Sequence, residues 1–143
     1  MKLVVDASVF LAFVIPEERE HDEAARFFAC CETGSHQMLF PTLALVEVAG
    51  GVARRKRDSG KAALAVLRLR NMDSAKFFAL SQKARQAAAQ LAGRQFLRGA
   101  DAVYCQLAHE HSVPLITLDL EIRDRTSGLL QVFSPRAWME SLE

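Results

Sequence analysis

The stretch Leu97–Asp119, LRGADAVYCQLAHEHSVPLITLD, carries an acidic residue at its end and another near its start, in an otherwise apolar frame. Asp101 follows Gly99-Ala100 at the start of a segment typical of a helix, and Asp119 ends the strand-like segment 114–118. A helix followed by a short apolar run is typical of α/β proteins. Neither helix propensity nor strand propensity favours an acid at these two positions, which points to a role in function.

Short apolar segments alternate with helix-like segments along the whole chain. We expect strands over 2–5, 38–40, 75–80, 114–118 and 129–133. We expect helices over 7–15, 20–32, 41–57, 61–70 and 81–95, from Asp101 and from Pro135, with a turn between the last two strands. This order predicts an α/β domain with a mostly parallel central sheet flanked by helices. Functional groups gather at the carboxyl ends of such strands, where Asp6 and Asp119 lie.

The composition predicts a single globular domain over residues 1–143. Half of the 143 residues are hydrophobic, enough for an ordinary core, and no apolar run approaches the roughly 20 residues of a membrane span. Three cysteines, two of them adjacent, indicate no disulfide framework, and no Cys or His spacing is typical of a zinc site. We therefore expect a cytoplasmic protein in a reducing compartment, with no membrane partner.

Charge is unevenly distributed, although the net charge is only +1. Residues 51–100 contain twelve Lys and Arg but only two acids, whereas the remainder contains six Lys and Arg and fifteen acids. The sharpest basic cluster is 54–57, RRKR, at the end of a predicted helix. Solvated helix faces explain any one basic helix, but so large an excess over fifty residues favours a polyanion such as nucleic acid.

Four acids stand out because their neighbours are apolar: Asp6, Glu47, Asp101 and Asp119. Taken singly, they fit ordinary positions at helix starts, on a solvated helix face and in a turn. Taken together, unpaired carboxylates at one edge of a sheet would repel one another and resist ionisation, and a divalent cation is the natural counter-charge. Oxygen-only ligation favours Mg²⁺ or Mn²⁺ over zinc. No Ser-His-Asp or Cys-His arrangement competes for the chemistry.

Four segments resemble the PIN-domain family, and specifically the VapC-type toxin ribonucleases of type II toxin–antitoxin systems. They are KLVVDASVFLAF (2–13), PTLALVEVAGGVARR (41–55), LRGADAVYCQLAHEHSVPLITLD (97–119) and VFSPRAW (132–138). The resemblance covers nearly the whole chain and implies a Rossmann-like PIN domain. It also implies an endoribonuclease that hydrolyses RNA phosphodiester bonds with Mg²⁺ or Mn²⁺, a cognate VapB-type antitoxin and a homodimer.

The resemblance also assigns roles to individual residues. The catalytic and metal-binding acids of the family fall on Asp6, Glu47, Asp101 and Asp119. Ser8 and Thr117 match supporting hydroxyl residues beside the first and last of these acids. Glu121 and Asp124 follow the last motif, and either could supplement Asp119. The candidate RNA contacts are Arg54, Arg55, Arg94 and Arg98.

Three other functions remain open at this point. A housekeeping PIN nuclease in RNA maturation or decay would share every catalytic residue, although a single domain without an appended RNA-binding module favours the toxin. A haloacid-dehalogenase-like phosphatase would carry D-x-D after its first strand, whereas Asp6-Ala7-Ser8 lacks the second acid. A catalytically inactive PIN-like binding module is disfavoured by the four intact acids.

Overall fold

The structure, a computed structural model, describes residues 1–143 as five strands and eight helices. The strands are β1 (Lys2–Val5), β2 (Gln37–Pro41), β3 (Ala75–Phe78), β4 (Leu115–Ile116) and β5 (Val132–Phe133). The helices are α1 (Ala7–Val14), α2 (His21–Thr33), α3 (Leu43–Lys56), α4 (Ser59–Arg70), α5 (Gln82–Gln95), α6 (Gly99–His111), α7 (Leu120–Arg125) and α8 (Pro135–Glu140). One or two helices follow every strand, so the expected α/β fold is confirmed.

All five strands belong to one sheet, in the order β3-β2-β1-β4-β5, and every neighbouring pair is parallel. β1 is the central strand, because Val4 pairs with Leu39 of β2 on one side and with Leu115 of β4 on the other. Leu3 and Val5 have no exposed surface, as expected for a strand covered on both faces. The carboxyl ends of all five strands therefore lie at the same edge of the sheet.

The hydrophobic core is continuous from the first strand to the last helix. Amphipathic α2 buries Phe27 and Phe28, and their rings meet Trp138 of α8 and Phe10 of α1 at centroid distances of 5.4 and 5.7 Å. Edge-on aromatic contacts of this kind add to the free energy gained by burying the rings. None of the eight helices combines the length and the apolar character needed to cross a membrane.

The turn expected between the last two strands is wrong, because a helix, α7, occupies most of it. The side chain of Asp119 accepts a hydrogen bond from the backbone N–H of Glu121 and so caps the helix. Arg125 forms an ion pair with Glu121 one turn earlier, and this pair on the helix surface stabilises the short helix. The segment 120–125 is mostly charged and shows no apolar periodicity, so a helix here could not be predicted from hydrophobic pattern.

Several expected boundaries also shift. Pro41 does not open a helix but ends β2, where it pairs with Phe78, and α3 begins at Leu43. The strands expected over 75–80, 114–118 and 129–133 are shorter, since regular pairing covers only β3, β4 and β5. The flanking residues still accept or donate backbone hydrogen bonds to their neighbours, as Thr117 does to Phe133, so the apolar runs extend beyond the strands proper.

The adjacent glycines of α3 have different surroundings. A Cβ added to Gly51 would lie 2.7 Å from both methyl groups of Leu11 in α1, whereas a Cβ on Gly50 would meet nothing within 4 Å. Helix α3 continues through both residues without a break. Gly51 therefore permits a close approach of α3 to α1, and Gly50 has no comparable packing role.

Candidate active site

Asp6 lies directly after β1, at the N-cap position of α1, but its carboxylate makes no capping hydrogen bond. Instead, its Oδ2 accepts hydrogen bonds from Ser8 Oγ at 2.6 Å and from Thr117 Oγ1 at 2.8 Å. Only 6% of the residue is exposed, and no Lys or Arg pairs with it. Helix capping therefore does not explain Asp6, which is a nearly buried carboxylate without a counter-charge.

The same two hydroxyl groups tie the segment after β4 to Asp6. Thr117 Oγ1 accepts a hydrogen bond from the backbone N–H of Asp119 at 3.0 Å, and Ser8 Oγ accepts one from the backbone N–H of Leu118 at 3.3 Å. Thr117 is completely buried. Ser8 and Thr117 thus orient Asp6 and fix the path of the chain that carries Asp119.

Glu47 approaches from the middle of α3 and is half-buried. Its Oε1 accepts a hydrogen bond from Tyr104 Oη at 2.7 Å. Tyr104, on α6, has no exposed surface, and burial raises the pKa of its phenol, so the phenol remains a protonated donor. Tyr104 therefore belongs to the core and also supports an acid at the sheet edge.

Asp101 and Asp119 share one cationic partner. Arg98 Nε donates to Asp101 Oδ2 and Arg98 Nη2 donates to Asp119 Oδ2, both at 3.0 Å. Asp101 lies in the first turn of α6, whereas Asp119 caps α7 through its other oxygen. The guanidinium therefore joins the beginnings of two helices, and Asp119 has both a structural role and a position at the site.

The four acids line one cleft of about 770 Å³, which we call the acidic cleft. Ser8, Arg54, Arg55 and Arg98 also line it, and Thr117 lies beneath it. Two further acids, Glu18 and Glu20, border the cleft from the segment between α1 and α2. Glu18 and Glu20 lie in an irregular loop, so no periodicity of the sequence indicates that they face the cleft.

The candidate RNA contacts fall on different surfaces. Arg55 borders the acidic cleft, but its Nε pairs with Glu18 at 2.7 Å, while Arg54 is exposed there without an ionic partner. Arg94 lies outside the cleft, in a separate groove that His109 also lines. Of the four arginines singled out from the sequence, three therefore border the acids and Arg94 does not.

The acids at the cleft perturb one another. Burial raises the pKa of Asp6 above its ordinary value and the charge of Asp101 raises it further, whereas the hydrogen bonds from Ser8 and Thr117 lower it. Burial also raises the pKa of Glu47, with additions from the charges of Asp6 and Asp101. Six acids line the cleft against three arginines, so the carboxylates outnumber the cations that could balance them.

Each of the four carboxylates is hydrogen-bonded to a protein donor, and no three of them are grouped closely enough to hold a metal ion. Even so, the donor set fits a hard divalent cation. Asp6 and Glu47 lack a cationic partner. Every candidate metal ligand is a carboxylate oxygen, the kind of atom that Mg²⁺ and Mn²⁺ prefer. Binding would require the side chains to move inward and Arg98 to release Asp101 and Asp119.

The two supplementary acids differ. Glu121 lies next to the cleft and pairs with Arg125, while Asp124 is 75% exposed in its side chain and contacts Arg123 at 3.9 Å. Asp124 lines neither the acidic cleft nor the depression beside it. Only Glu121 is therefore positioned to influence the site.

The model of the PIN domain family matches residues 3–127 of the chain. No curated protein sequence matches it significantly. Among solved structures, Mycobacterium tuberculosis VapC20, described as a sarcin-ricin loop cleaving toxin, is similar with a TM-score of 0.76 and 17% identity, over 91% of this chain and 98% of that one. VapBC2 from Rickettsia felis, bound to a DNA fragment of its promoter, has a TM-score of 0.71 and 12% identity, over 94% and 98%.

A third similar structure is VapBC-1 from nontypeable Haemophilus influenzae, with a TM-score of 0.67 and 13% identity, over 95% of this chain and 99% of that one. These likenesses extend over nearly the full length of each chain and agree with the parallel sheet described above. Together with the family match, they assign the fold. This chain belongs to the PIN-domain family.

Proposed function

We propose that the chain is a metal-dependent endoribonuclease and the toxin of a VapBC-type toxin–antitoxin pair. The observation that carries the proposal is the acidic cleft, in which the nearly buried Asp6 faces Glu47, Asp101 and Asp119 with only one cation, Arg98, bridging two of them. A protein that keeps such charge uncompensated gains nothing in stability, so the arrangement favours a ligand of opposite charge.

In this proposal Asp6, Glu47, Asp101 and Asp119 hold Mg²⁺ or Mn²⁺, and Ser8 and Thr117 keep Asp6 oriented. When bound, the metal polarises a phosphoryl oxygen and makes water a stronger nucleophile near neutral pH. Tyr104 holds the Glu47 carboxylate by donating a hydrogen bond to it. Mutations of such supporting donors commonly weaken metal affinity or activity by roughly 10- to 100-fold.

The arginines at the cleft supply contacts to the RNA backbone. Arg54 is exposed and unpaired, and Arg98, once displaced from Asp101 and Asp119, is free to turn to a phosphate. Such contacts place the substrate but do not distinguish its sequence. We propose RNA as the substrate because its phosphate backbone meets both the metal ligands and these arginines within one cleft.

Purified protein incubated with RNA tests the catalytic half of the proposal. We expect internal cleavage with Mg²⁺ or Mn²⁺ and none with excess EDTA. Asp6→Asn, Asp101→Asn and Asp119→Asn should each abolish turnover while the protein stays folded, and Asp124→Asn is the matched control that should keep it. Undiminished cleavage in chelator, or in all three Asn variants, would refute the mechanism.

Growth assays test the toxin half. The similar VapBC structures contain a toxin with its antitoxin, so we propose a cognate VapB-type antitoxin for this chain, a homodimeric toxin acting as a single PIN domain, and a cytoplasmic location in which its three free cysteines stay reduced. Expression of the chain alone should arrest growth, and Asp119→Asn should not. Harmless expression of a folded, active enzyme would instead favour a housekeeping nuclease of RNA maturation or decay.

A further inference from the structure

Phe96 combines a left-handed backbone, common at the end of a helix, with a large exposed aromatic side chain, which is unusual there. It follows the last residue of α5 with left-handed backbone angles, φ 55° and ψ 39°, and 77% of the residue is exposed. Left-handed angles favour Gly or Asn, and an exposed ring gains little from the hydrophobic effect. The other residues with positive φ are Ser35, Arg57, Ser112 and Gly128, none of them apolar side chains. Phe96 is therefore a candidate for a functional position.

Hydrogen bonds hold the backbone of Phe96 but do not involve its ring. The N–H of Phe96 donates to the carbonyl of Ala92, and Arg125 Nη1 donates to the carbonyl of Phe96 at 2.6 Å. Any residue could make these two backbone bonds. The conformation at this position is therefore explained by the backbone, while the choice of a phenyl side chain is not.

Phe96 borders a depression of about 180 Å³, which we call the side pocket. Arg98, Asp101 and Asp119 line both the side pocket and the acidic cleft, so the two are adjacent and share a wall. Pockets for drug-sized molecules measure roughly 300–1,000 Å³, so the side pocket suits a single ring system. Its position places such a ring directly beside the acids.

We propose that the side pocket is a nucleobase subsite, in which one unpaired base of the RNA, next to the phosphate held in the acidic cleft, stacks on the ring of Phe96. This proposal rests on the proposed function. The apolar part of the pocket is formed by Phe96 with the buried side chains of Leu97 and Ile122. An exposed aromatic face of this kind accepts any base, because every base presents a π-face.

The polar side chains that line the pocket can form hydrogen bonds to the edge of the base. Arg125 Nε donates to Glu121 Oε1 at 2.7 Å, and both side chains line the pocket. The pair offers guanidinium donors and a carboxylate acceptor, the groups that bind base edges. Because a base within a duplex is already stacked and paired, the subsite selects single-stranded segments and loops over double-stranded RNA.

The small size of the pocket and its position beside the acidic cleft favour a base of RNA over a protein segment as its occupant. Arg98 and Arg125 line it together with Asp101, Asp119 and Glu121, and both arginines are paired with these acids, so a bound phosphate would take over a guanidinium from a carboxylate. A purely apolar protein contact would need a wider exposed apolar surface than one ring. The proposed occupant of the side pocket is therefore a base of the RNA.

Binding is measured in the Asp6→Asn background, which removes turnover, with a fluorescent single-stranded RNA and with the same RNA carrying 2-aminopurine as a stacking probe. Phe96→Ala should weaken binding on the order of tenfold to a hundredfold and abolish quenching of the probe. Phe96→Trp and Phe96→Tyr should retain both. Phe96→Leu, which is apolar but lacks the ring, should behave as Phe96→Ala.

Controls separate this role from a structural one. Leu80→Ala removes an exposed apolar side chain that lines neither the acidic cleft nor the side pocket, and it should leave binding unchanged. Phe96→Gly should raise the unfolding temperature, because Gly relieves the left-handed backbone. Phe96→Ala should leave the affinity of the protein for duplex RNA unchanged.

Two results would overturn the subsite: unchanged single-strand affinity in Phe96→Ala, or full affinity in Phe96→Leu, which would indicate an apolar contact without stacking. Either can occur while wild-type protein still cleaves RNA with metal, in which case the proposed function stands. Absence of metal-dependent cleavage in the wild type, with stacking intact, would instead refute the proposed catalysis and leave a base-binding site.

Discussion

Tyr104 and Glu47, 57 positions apart in the chain, are joined by a hydrogen bond of 2.7 Å from a fully buried phenol to a half-buried carboxylate. Burial and the nearby charges raise the pKa of Glu47, and the hydrogen bond from the phenol offsets part of that rise. Tyr104→Phe removes only that donor, and the pKa of Glu47 should rise further. We expect Mn²⁺ affinity to fall on the order of tenfold.

Calorimetric titration of Mn²⁺ over a range of pH checks this. Protons compete with metal at Glu47, so the deficit of the Phe variant should grow as pH falls and shrink as pH rises above the pKa of Glu47. Circular dichroism should report an unchanged fold. A deficit of constant size at every pH would show that the hydroxyl acts by some route other than the pKa of Glu47.

Asp6→Asn should stabilise the metal-free protein at neutral pH. Because the pKa of Asp6 is raised on folding, the folded state holds its proton over a pH range in which the unfolded chain has lost it. The free energy of unfolding therefore falls as pH rises from the unfolded pKa through the folded pKa, and the Asn variant avoids that loss. Thermal unfolding in EDTA across this range should give converging curves at acidic pH and a higher unfolding temperature for the variant at neutral pH.

Excess Mg²⁺ should make the wild type more stable than Asp6→Asn. A metal ion that binds only the folded state stabilises it, and the variant lacks one of the carboxylates that bind the ion. Asp124→Asn, a change at an exposed carboxylate outside the cleft, is the matched control and should follow the wild type throughout. A variant destabilised in chelator at every pH would mean that Asp6 has a mainly structural role.

Arg98→Gln and Arg94→Gln should have different effects on Mn²⁺ and RNA binding, although the two residues are only four positions apart. Arg98 bridges Asp101 and Asp119 at the cleft, whereas Arg94 faces a separate groove. Loss of Arg98 should strengthen Mn²⁺ binding, because the two carboxylates lose their competing partner. It should also reduce the slope of log affinity for RNA against log salt by about one. Arg94→Gln should change neither quantity, and equal effects of the two would exclude a special role for Arg98.

Gly50→Ala and Gly51→Ala form a matched pair for stability. Gly50→Ala should stabilise the protein by up to about 1 kcal/mol through helix propensity. At Gly51 the same gain is opposed, because the new methyl group displaces the end of Leu11. Urea unfolding should rank Gly50→Ala above Gly51→Ala, and adding Leu11→Ala should recover part of the Gly51→Ala deficit. Equal free energies of unfolding for the two glycine variants would show that the helices separate without cost.

We expect the proposed VapB-type antitoxin to inhibit through a basic side chain placed among the four acids. Arg98 demonstrates that a guanidinium fits between Asp101 and Asp119, and a second one would compete with metal at the same carboxylates. An ion pair open to solvent contributes only about 0–1 kcal/mol, so apolar contacts would supply most of the affinity. The complex should persist in high salt, while substitution of the antitoxin's arginine by Ala should restore cleavage. Inhibition that survives that substitution would exclude the mechanism.

The positions of the acids could be predicted more fully than their partners. Asp6 and Asp119 follow apolar runs that pair in parallel, so their convergence at one edge was a consequence of strand order. Tyr104 carries a detectable signal, because it lies three residues after Asp101 on the same face of α6. The pairing of Arg98 with two acids depends on side-chain conformation and left no trace in the sequence.

Two differences between expectation and structure have local causes. The helix α7 was missed because a cap at Asp119 and one ion pair, rather than apolar periodicity, support it. Arg94 was grouped with Arg98 because they are close in sequence. The left-handed residue Phe96 turns the chain between them and directs the two side chains to different surfaces.

The hydrogen bond from Thr117 to Asp6 spans 111 positions of the chain, so its two partners are made at different stages of synthesis. β1 is made first, yet one of its two neighbours, β4, is among the last strands to emerge. Contacts so distant in sequence form late, because a long loop must close before they contribute any stability. A nascent chain therefore contains Asp6 long before it contains Asp119, and the four acids of the acidic cleft can come together only late in its synthesis.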